Sequence, residues 1–445
     1  MKILWLNANL LLPLDKGGKL RTWHVMRHLA SRHDITYLSF ADASETPADR
    51  TGMREVCARL ETIPRTDAAK GTLRFYAGAA RYLLDPVPYG VAKYRSPAFA
   101  ERLRALLHAD SFDVVVCDFL VPIVNMPERL PCPGILFTHN VESEIWRRHA
   151  EHAANPAARL LLARQWHRML RFEGEALRRF DLVLAVSEAD KRTLERLYPS
   201  SLREPVRVVR TGVDTGYFAP APPAPFLQAQ ATARPADPHL VFTGSMDWLP
   251  NEDGMIYFAD DILPRIRAAI PGATLSIVGR APTPAVQRLA ERTGIQVTGR
   301  VDDVRPHVAA GTVYVVPLRI GGGTRLKIFE AMSMGKAVVS TSVGAEGLPV
   351  TNGRDIVLAD DPQSFADAVV HLIRDRGARA GVEAAARRLV VDRYDWSVVA
   401  HDFEGALARA CGAASRTAAD ASPGRAAHDR DPRGARESKP LVGSI

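Results

Sequence analysis

The sequence predicts an α/β protein with two Rossmann-like, doubly wound domains that face each other across a cleft. Three observations support this prediction. Short β-branched runs alternate with helical stretches, one Pro- and Ala-rich segment interrupts this alternation before it begins again, and a length of 445 residues suits two or three domains. Because ligands of open parallel sheets bind beyond the carboxyl ends of the strands, we expect the active site in the cleft.

The predicted strands fall into two groups. Residues 1–215, the first domain, contain the predicted strands Lys2–Asn7, Ile35–Phe40, Asp113–Asp118, Gly134–Thr138, Asp181–Ser187 and Val206–Arg210. Residues 216–238 are a predicted linker, and residues 239–395, the second domain, contain His239–Gly244, Ala273–Gly279, Ile295–Thr298, Thr312–Pro317, Ala337–Thr341 and Asp355–Leu358. We expect a helix at 396–411 that crosses back to the first domain. Residues 412–445 are predicted to be a disordered tail because they have almost no apolar side chains to bury.

Composition excludes several classes of protein. Hydrophobic residues at 47% and charged residues at 24% are ordinary globular values, which exclude collagenous, coiled-coil and wholly disordered chains. The net charge of +8 is modest, and no dense basic run is interleaved with aromatic residues, so we expect no nucleic-acid binding. No apolar run is long enough for a membrane helix or typical of a signal peptide, and the four cysteines lack metal-ligand spacing. These features predict a cytoplasmic protein with reduced cysteines.

The segment Val315–Gly347 carries the most informative motif. A predicted strand is followed by three glycines and by Thr324, a suitable N-cap for a helix. Such a loop can bind phosphate, because its backbone approaches closely and the helix N-terminus presents free N–H groups. The predicted donor-binding residues here are Gly321, Gly322, Gly323, Thr324, Arg325, Lys327 and Glu330, with the two basic residues on the diphosphate and the glutamate on ribose hydroxyls. The alternative is a tight turn followed by a surface helix.

This segment resembles the nucleotide-sugar signature of retaining glycosyltransferase family 4, whose fold is GT-B. The resemblance covers roughly residues 1–410 and includes PLDKGGKLRTWHVMRHLA near the N-terminus, DLVLAVSEAD and VRTGVDTGYF before the linker, and VFTGSMDWLPNEDG at the start of the second domain. It implies sugar transfer from a UDP- or GDP-sugar to a hydroxyl acceptor with retention at the anomeric carbon. It also implies that Gly17 and Gly18 face the donor phosphates, and that Arg325 and Lys327 stabilise the leaving diphosphate.

The sequence departs from the family pattern at two places. The family usually has two glutamates eight positions apart; Glu330 matches the second, but Gly322 stands at the first. The arginine and lysine that often follow the first strand of the donor domain are absent from SMDWLPNED. We therefore interpret Arg325 and Lys327 as substitutes on the other side of the diphosphate. The identity of the donor sugar stays open, as does the alternative of an inactive nucleotide-binding homologue.

Other candidate site residues follow predicted strands. The resemblance implies that His139, after Gly134–Thr138, lies over the donor sugar and the acceptor; an isolated histidine can equally be a structural core residue. Asn140, Glu142 and Glu144 are candidate acceptor contacts, although Glu142 and Glu144 could equally be first-turn charges of the next helix. The remaining predicted donor contacts are Gly244 and Ser245 at the phosphates and Gly279, Arg280, Val301 and Asp302 near the base, where plain turns are the alternative.

No metal or other cofactor is expected, because the resemblance implies that helix dipole and basic residues neutralise the diphosphate. Asp302 and Asp303 could suggest a metal-binding pair, but they precede a predicted helix start, which favours capping. A glycan or lipid-linked molecule is the expected acceptor. Leu73–Leu107 and Arg147–Arg179 are basic and amphipathic, which suits peripheral contact with an anionic membrane, although solvated helix faces show the same pattern. An epimerase of the same architecture is a further alternative.

Overall fold

The computed structural model describes residues 1–14, 17–42, 45–65, 85–153, 155–220, 238–320 and 326–420, with side chains to residue 412. Two fully parallel sheets organise these residues and confirm the predicted fold class. The first sheet has seven strands in the order β3-β2-β1-β4-β5-β6-β7, and the second has six in the order β10-β9-β8-β11-β12-β13. Each of the twelve predicted runs overlaps one of these strands.

The first domain surrounds the seven-stranded sheet with helices on both faces. Its strands are β1 Lys2–Leu6, β2 Asp34–Ala41, β3 Arg59–Pro64, β4 Val114–Asp118, β5 Gly134–Phe137, β6 Leu182–Ala185 and β7 Arg207–Val208. Its described helices are α1 Gly17–Leu29, α2 Pro47–Gly52, α3 Tyr89–Ala92, α4 Pro97–Ala109, α5 Glu142–Glu151, α6 Pro156–Leu177 and α7 Glu188–Leu197. Two buried clusters, one on each face of the sheet, form its core.

The second domain repeats this arrangement around the six-stranded sheet. Its strands are β8 His239–Thr243, β9 Thr274–Val278, β10 Ile295–Val297, β11 Val313–Val316, β12 Val338–Ser340 and β13 Val357–Leu358. Its described helices are α8 Leu249–Tyr257, α9 Leu263–Ala269, α10 Pro284–Arg288, α11 Arg305–Ala310, α12 Leu326–Ser333, α13 Pro362–Arg374 and α14 Arg376–Tyr394. A single large cluster of buried residues forms its core.

Strand β3 was absent from the sequence prediction. It is an edge strand that pairs only with β2, and its residues are half-buried or exposed. Its sequence RLETIP contains an arginine and a glutamate, and Glu61 forms an ion pair with Arg102 at 2.6 Å. A polar edge strand lacks the continuous apolar run by which a buried parallel strand is recognised.

The C-terminal helix α15, Trp396–Asp420, leaves the second domain and packs on the first. Phe403 stacks on Trp5 with 5.3 Å between ring centroids, and Glu404 forms an ion pair with Arg32 at 2.8 Å. The helix continues nine residues beyond the predicted end at 411, into the predicted disordered tail. Alanine recurs in this extension and has the highest helix propensity. Residues 421–445 lie outside the described part.

The chain crosses between the domains twice, and the two crossings touch. The backbone N–H of Val213 donates to the carbonyl of Tyr394 at 2.7 Å, and Thr215 donates through its hydroxyl to Asp395. Residues 221–237, most of the predicted linker, lie outside the described part. Among the described helices, none has the length and apolar character needed to cross a bilayer.

Candidate active site

A cleft of about 1010 Å³ lies between the two domains at the carboxyl ends of the first-domain strands. In each sheet the strand order reverses beside the first strand of the domain, between β1 and β4 and between β8 and β11. Such a reversal opens a crevice at the strand ends where ligands bind. The first domain contributes Gly17, Gly18, His139 and Asn140 to the wall, among others, and the second contributes Leu326, Phe329 and the segment Glu346–Pro349.

His139 is held in the cleft wall by a buried network centred on Asp118, the last residue of β4. Asp118 is fully buried, and its carboxylate oxygen Oδ1 lies 2.7 Å from His139 Nε2. Its other oxygen, Oδ2, accepts hydrogen bonds from Thr22 Oγ1 at 2.6 Å, Asn7 Nδ2 at 2.7 Å and Trp5 Nε1 at 3.2 Å. The carboxylate thus accepts from groups on β1, α1 and the loop after β5.

The partner of the second ring nitrogen defines the tautomer of His139. Arg21 Nη1 lies 2.6 Å from His139 Nδ1, and a guanidinium can only donate, so Nδ1 accepts and Nε2 carries the proton donated to Asp118. Arg21 also donates to Thr211 Oγ1, from Nε at 2.8 Å. Burial lowers the pKa of His139, against the opposing effect of Asp118. The imidazole is therefore neutral, with both nitrogens bound within the protein.

The face of the His139 ring is also occupied. Phe119 stacks on it with 3.9 Å between ring centroids, and the backbone of Phe119 has a φ of 67°, in the left-handed region that non-glycine residues rarely adopt. A Cβ at Gly18 would lie 2.6 Å from the Phe119 ring. The glycine at the start of α1 therefore lets this helix pack against the aromatic ring beside the histidine.

A smaller cavity of about 470 Å³ opens on the second domain at the end of β8. Its lining brings together four of the predicted donor-binding residues, Gly244, Ser245, Arg280 and Lys327, with Asp247, Trp248 and Asn251. Arg280 Nε donates to Ser245 Oγ at 2.9 Å, and Ser245 Oγ donates to Asp247 Oδ1 at 2.5 Å. Two basic side chains and a glycine-containing turn thus share one small pocket.

The close approach of two loops explains the glycines of this pocket. Gly279 has a φ of 152°, and a Cβ there would lie 1.7 Å from the carbonyl oxygen of Gly244. A Cβ at Gly244 would lie 2.7 Å from both Lys327 Nζ and Asn251 Nδ2. A side chain at Gly279 would push the loops apart, so this glycine is required by the local geometry, whereas a side chain at Gly244 would displace the ends of the Lys327 and Asn251 side chains.

Helix α12 carries Lys327 and Glu330. Lys327 Nζ donates to Asn251 Oδ1 at 2.9 Å and lies 4.1 Å from the centroid of the Phe242 ring. Glu330 lines neither of the two cavities. Burial raises its pKa to about 7, and Lys327 opposes this effect. The predicted residues Gly321, Gly322, Gly323, Thr324 and Arg325 lie outside the described part of the chain.

Two family models match the chain in sequence. The model described as Glycosyltransferase Family 4 matches residues 16–217, and the model described as Glycosyl transferases group 1 matches residues 237–375. The chain belongs to glycosyltransferase family 4. Together the matches cover most of both α/β domains.

Curated relatives of this family 4 protein match over part of their length. A phosphatidyl-myo-inositol mannosyltransferase of Mycolicibacterium smegmatis is 30% identical over 48% of this chain and 54% of its own. An alpha-maltose-1-phosphate synthase of the same species is 27% identical over 51% of this chain and 63% of its own. In both comparisons the matched region is less than two thirds of the relative's length.

Solved structures share the whole fold. Anabaena HepE in complex with UDP superposes with a TM-score of 0.63 at 15% identity, over 92% of this chain and 100% of that one. A glycosyltransferase from Rickettsia africae superposes with a TM-score of 0.62 at 13% identity, over 92% and 98%. The architecture of this family 4 protein is GT-B.

The predicted acceptor residues of this family 4 protein separate in the structure. Asn140 and Glu144 line the cleft, whereas Glu142 does not. The backbone N–H of Glu142 donates to Glu173 Oε1 at 2.8 Å, and burial together with this second carboxylate raises the pKa of Glu142 to about 7. The Glu142 side chain thus lies at the start of α5 beside Glu173, away from the cleft.

The predicted base contacts also separate. Arg280 lies in the smaller cavity and Gly279 abuts it, whereas Val301 packs against the core of the second domain and Asp302 is exposed, neither lining a cavity described above. Asp303 Oδ1 accepts from the backbone N–H of Arg305 at 2.9 Å, at the start of α11. Within the described ranges, no three His, Cys, Asp or Glu side chains are grouped to hold a metal ion.

The sequence analysis of this family 4 protein missed Arg21, Asp118 and Asn251, which hold the candidate residues in place. Asp118 had a recognisable signal, because it is a lone carboxylate at the carboxyl end of an apolar strand beside the reversal in strand order. Arg21 and Asn251 lie on helices among ordinary surface-type residues, so their roles became visible only with their distant partners.

Proposed function

We propose that the protein is a glycosyltransferase that moves a sugar from a nucleoside diphosphate sugar to a hydroxyl acceptor with retention of anomeric configuration. The observation that supports it best is the pocket on the second domain, where Lys327 and Arg280 stand beside the Gly244–Ser245 turn. This turn follows β8 at the reversal in strand order, where a nucleotide is expected. The related fold of HepE is known in complex with UDP.

In this proposal the second domain stabilises the leaving diphosphate. Lys327 supplies a positive charge at the pocket. The sequence motif assigns Arg325 and Gly321–Thr324, which lie outside the described part of the chain, to the diphosphate as well. Charge that develops on the leaving phosphate oxygen is stabilised by groups already in position, which is electrostatic catalysis. Glu330, when ionised, accepts hydrogen bonds from the ribose hydroxyls.

The first domain positions the sugar and the acceptor. His139 is neutral and bound through both nitrogens, so its role in this proposal is to shape and orient the wall against which the sugar and the acceptor lie. Gly17 and Gly18 approach the donor from α1, and Asn140 and Glu144 are candidate contacts for acceptor hydroxyls. Closure of the domains over the cleft would exclude water and limit hydrolysis of the donor.

We further propose a glycan or lipid-linked acceptor that the enzyme meets at an anionic membrane surface. Arg148, Arg192 and Arg210 line the first-domain side of the cleft, where they suit an acceptor with a phosphate group. On α6, Leu160 is 75% exposed beside the exposed Arg159 and Arg164. An exposed apolar side chain flanked by basic residues favours the interface of an anionic membrane.

The test of the activity uses UDP and GDP first and nucleotide sugars second. Calorimetry first identifies which nucleotide the protein binds. Sugar donors that carry this nucleotide are then incubated with glycan and lipid-linked acceptors. NMR assigns the anomeric configuration of the product. A transferase releases nucleoside diphosphate only when the acceptor is added. Conversion of the donor into an epimeric nucleotide sugar without acceptor indicates an epimerase, and binding of neither UDP nor GDP indicates a non-catalytic homologue.

The membrane proposal is tested separately by sedimentation with vesicles. We expect the protein to bind vesicles that contain anionic lipid and not neutral vesicles, and we expect Leu160→Glu to reduce the bound fraction. Equal binding of the Leu160→Glu variant and the unmodified protein would contradict a role for α6.

A further inference from the structure

We infer that Asn251 is the positioning residue that holds the Lys327 ammonium in the donor pocket without cancelling its charge. This inference rests on the proposed function, since it concerns how the pocket would bind a diphosphate. Asn251 belongs to helix α8, two residues after its start, while Lys327 belongs to α12 on the far side of the pocket. The two residues meet only because β8 and β11 are neighbours in the sheet.

Asn251 uses both ends of its side-chain amide. Its Oδ1 accepts from Lys327 Nζ at 2.9 Å, and its Nδ2 donates to the carbonyl oxygen of Ser245 at 2.8 Å. The residue is only 2% exposed. One buried amide therefore fixes the lysine and the Gly244–Ser245 turn relative to each other.

A neutral amide suits this task better than a carboxylate. A lysine side chain has substantial rotamer entropy, and holding it in place before binding reduces the cost of ordering it when the ligand arrives. An aspartate at position 251 would also hold the ammonium, but its negative charge would cancel the positive charge offered to a diphosphate. Asparagine therefore holds the Lys327 ammonium in place and does not neutralise its positive charge.

The surroundings of the pair support the same conclusion. Phe242 lies under the ammonium, with 4.1 Å between Nζ and the ring centroid, which stabilises a cation without neutralising it. Asp247, the acidic residue in the pocket lining, accepts a hydrogen bond from Ser245 Oγ. Glu330, on the same helix as Lys327, interacts electrostatically with the ammonium but lines neither cavity. Gly244 leaves room for the contact, because a Cβ there would come within 2.7 Å of both Lys327 Nζ and Asn251 Nδ2.

The experiment is a double-mutant cycle read by calorimetry with UDP and GDP, and with UMP and GMP for comparison. We expect Asn251→Ala to weaken binding of the diphosphate by about tenfold or more, the effect of one hydrogen bond to a charged group, and to change binding of the monophosphate much less. The double variant should bind the diphosphate more weakly than Lys327→Ala by much less than the loss caused by Asn251→Ala alone, because Asn251 acts mainly through the lysine and only in part through the Ser245 carbonyl. Asn251→Asp should weaken diphosphate binding at least as much as Asn251→Ala.

Asn125 provides a matched control in the first domain. It is a buried asparagine whose Oδ1 accepts from the backbone N–H of Ser96 at 2.7 Å and whose Nδ2 donates to the carbonyl of Tyr94 at 2.9 Å. Asn125→Ala should lower the Tm and leave diphosphate affinity unchanged. If Asn251→Ala does not fold, the isosteric Asn251→Asp tests the same contact, with the loss of diphosphate affinity expected above.

The outcomes separate this inference from the proposed function. Additive losses in the cycle, or equal losses for diphosphate and monophosphate, would show that Asn251 has only a structural role and would overturn the inference. Unchanged diphosphate affinity in Asn251→Ala would overturn it as well, while leaving the proposed function intact. If the unmodified protein binds neither UDP nor GDP, the proposed function fails and this inference fails with it.

Discussion

Replacing Asp118 by asparagine tests the buried network that holds His139. The carboxylate accepts four hydrogen bonds, from Thr22, Asn7, Trp5 and His139. An asparagine offers one acceptor oxygen and one NH₂ group. If the NH₂ group takes the place of Oδ2, it faces the donors of Thr22, Asn7 and Trp5. If it takes the place of Oδ1, it faces the Nε2 proton of His139. The histidine cannot switch tautomer without turning its Nδ1 proton toward Arg21.

The magnitude follows from burial and charge. Leaving a buried donor without its acceptor costs about 1.5–2.5 kcal/mol. Asp118 is fully buried, and Asp118→Asn leaves at least two such groups, the new NH₂ group and the donor that it faces, so the cost is about 3–5 kcal/mol. For a domain of this size each kcal/mol lowers the Tm by roughly 2–4 °C. We therefore expect Asp118→Asn to lower the Tm of the first domain by roughly 6–20 °C.

Thr22→Val is the matched comparison, because it removes one hydrogen-bond donor and leaves the Asp118 carboxylate with three donors. Its expected cost is about 1.5 kcal/mol, the low end for a hydrogen bond to a charged group. Thermal unfolding of the two variants, followed by circular dichroism in parallel with the unmodified protein, decides the question. If Asp118→Asn loses no more stability than Thr22→Val, the carboxylate is not the centre of the network and the reasoning is wrong.

The other predictions concern the donor and the transfer step. Because the pKa of Glu330 is raised to about 7, protonation as the pH falls from 8 to 6 should weaken its ribose hydrogen bonds and lower the affinity for the nucleoside diphosphate. Glu330→Gln lacks this titration and should keep only the smaller pH dependence that comes from the terminal phosphate of the ligand. Calorimetry at three pH values compares the two proteins, and an equal pH dependence in both would argue against the ribose contact. Arg325→Ala and Lys327→Ala should weaken diphosphate binding and lower kcat with nucleoside affinity nearly unchanged, and equal losses for nucleoside and nucleotide would contradict that role. Because His139 shapes the wall and transfers no proton, His139→Ala should lower turnover by misplacing the sugar and the acceptor, by up to about a hundredfold, and leave nucleotide affinity unchanged. A normal kcat of the folded fraction, together with a lower Tm, would instead show that His139 is purely structural.

The sequence alone determined the fold class, because a buried parallel sheet needs apolar β-branched runs and each run is visible within a few residues. Lys2–Leu6 and His239–Thr243 are strands of this kind, one at the centre of each sheet. The edge strand Arg59–Pro64 was missed since its half-buried position tolerates charged residues. The glycines of the candidate site, such as Gly18 and Gly244, were also recognisable from the sequence, because backbone loops between a strand and a helix are encoded locally.

The tertiary structure decided which side chains meet. Lys327 and Asn251 are 76 positions apart in the sequence, and Arg21 and His139 are 118 positions apart. No local sequence pattern could therefore predict that the members of either pair are in contact. Their contacts depend on the order of the strands, which brings β1 beside β4 and β8 beside β11. Glu142 and Glu144 lie two residues apart on α5, so they project from different sides of the helix and only Glu144 lines the cleft. Sequence periodicity reports which face of an element is buried, whereas the partner across a cleft is chosen by the packing of elements that are distant along the chain.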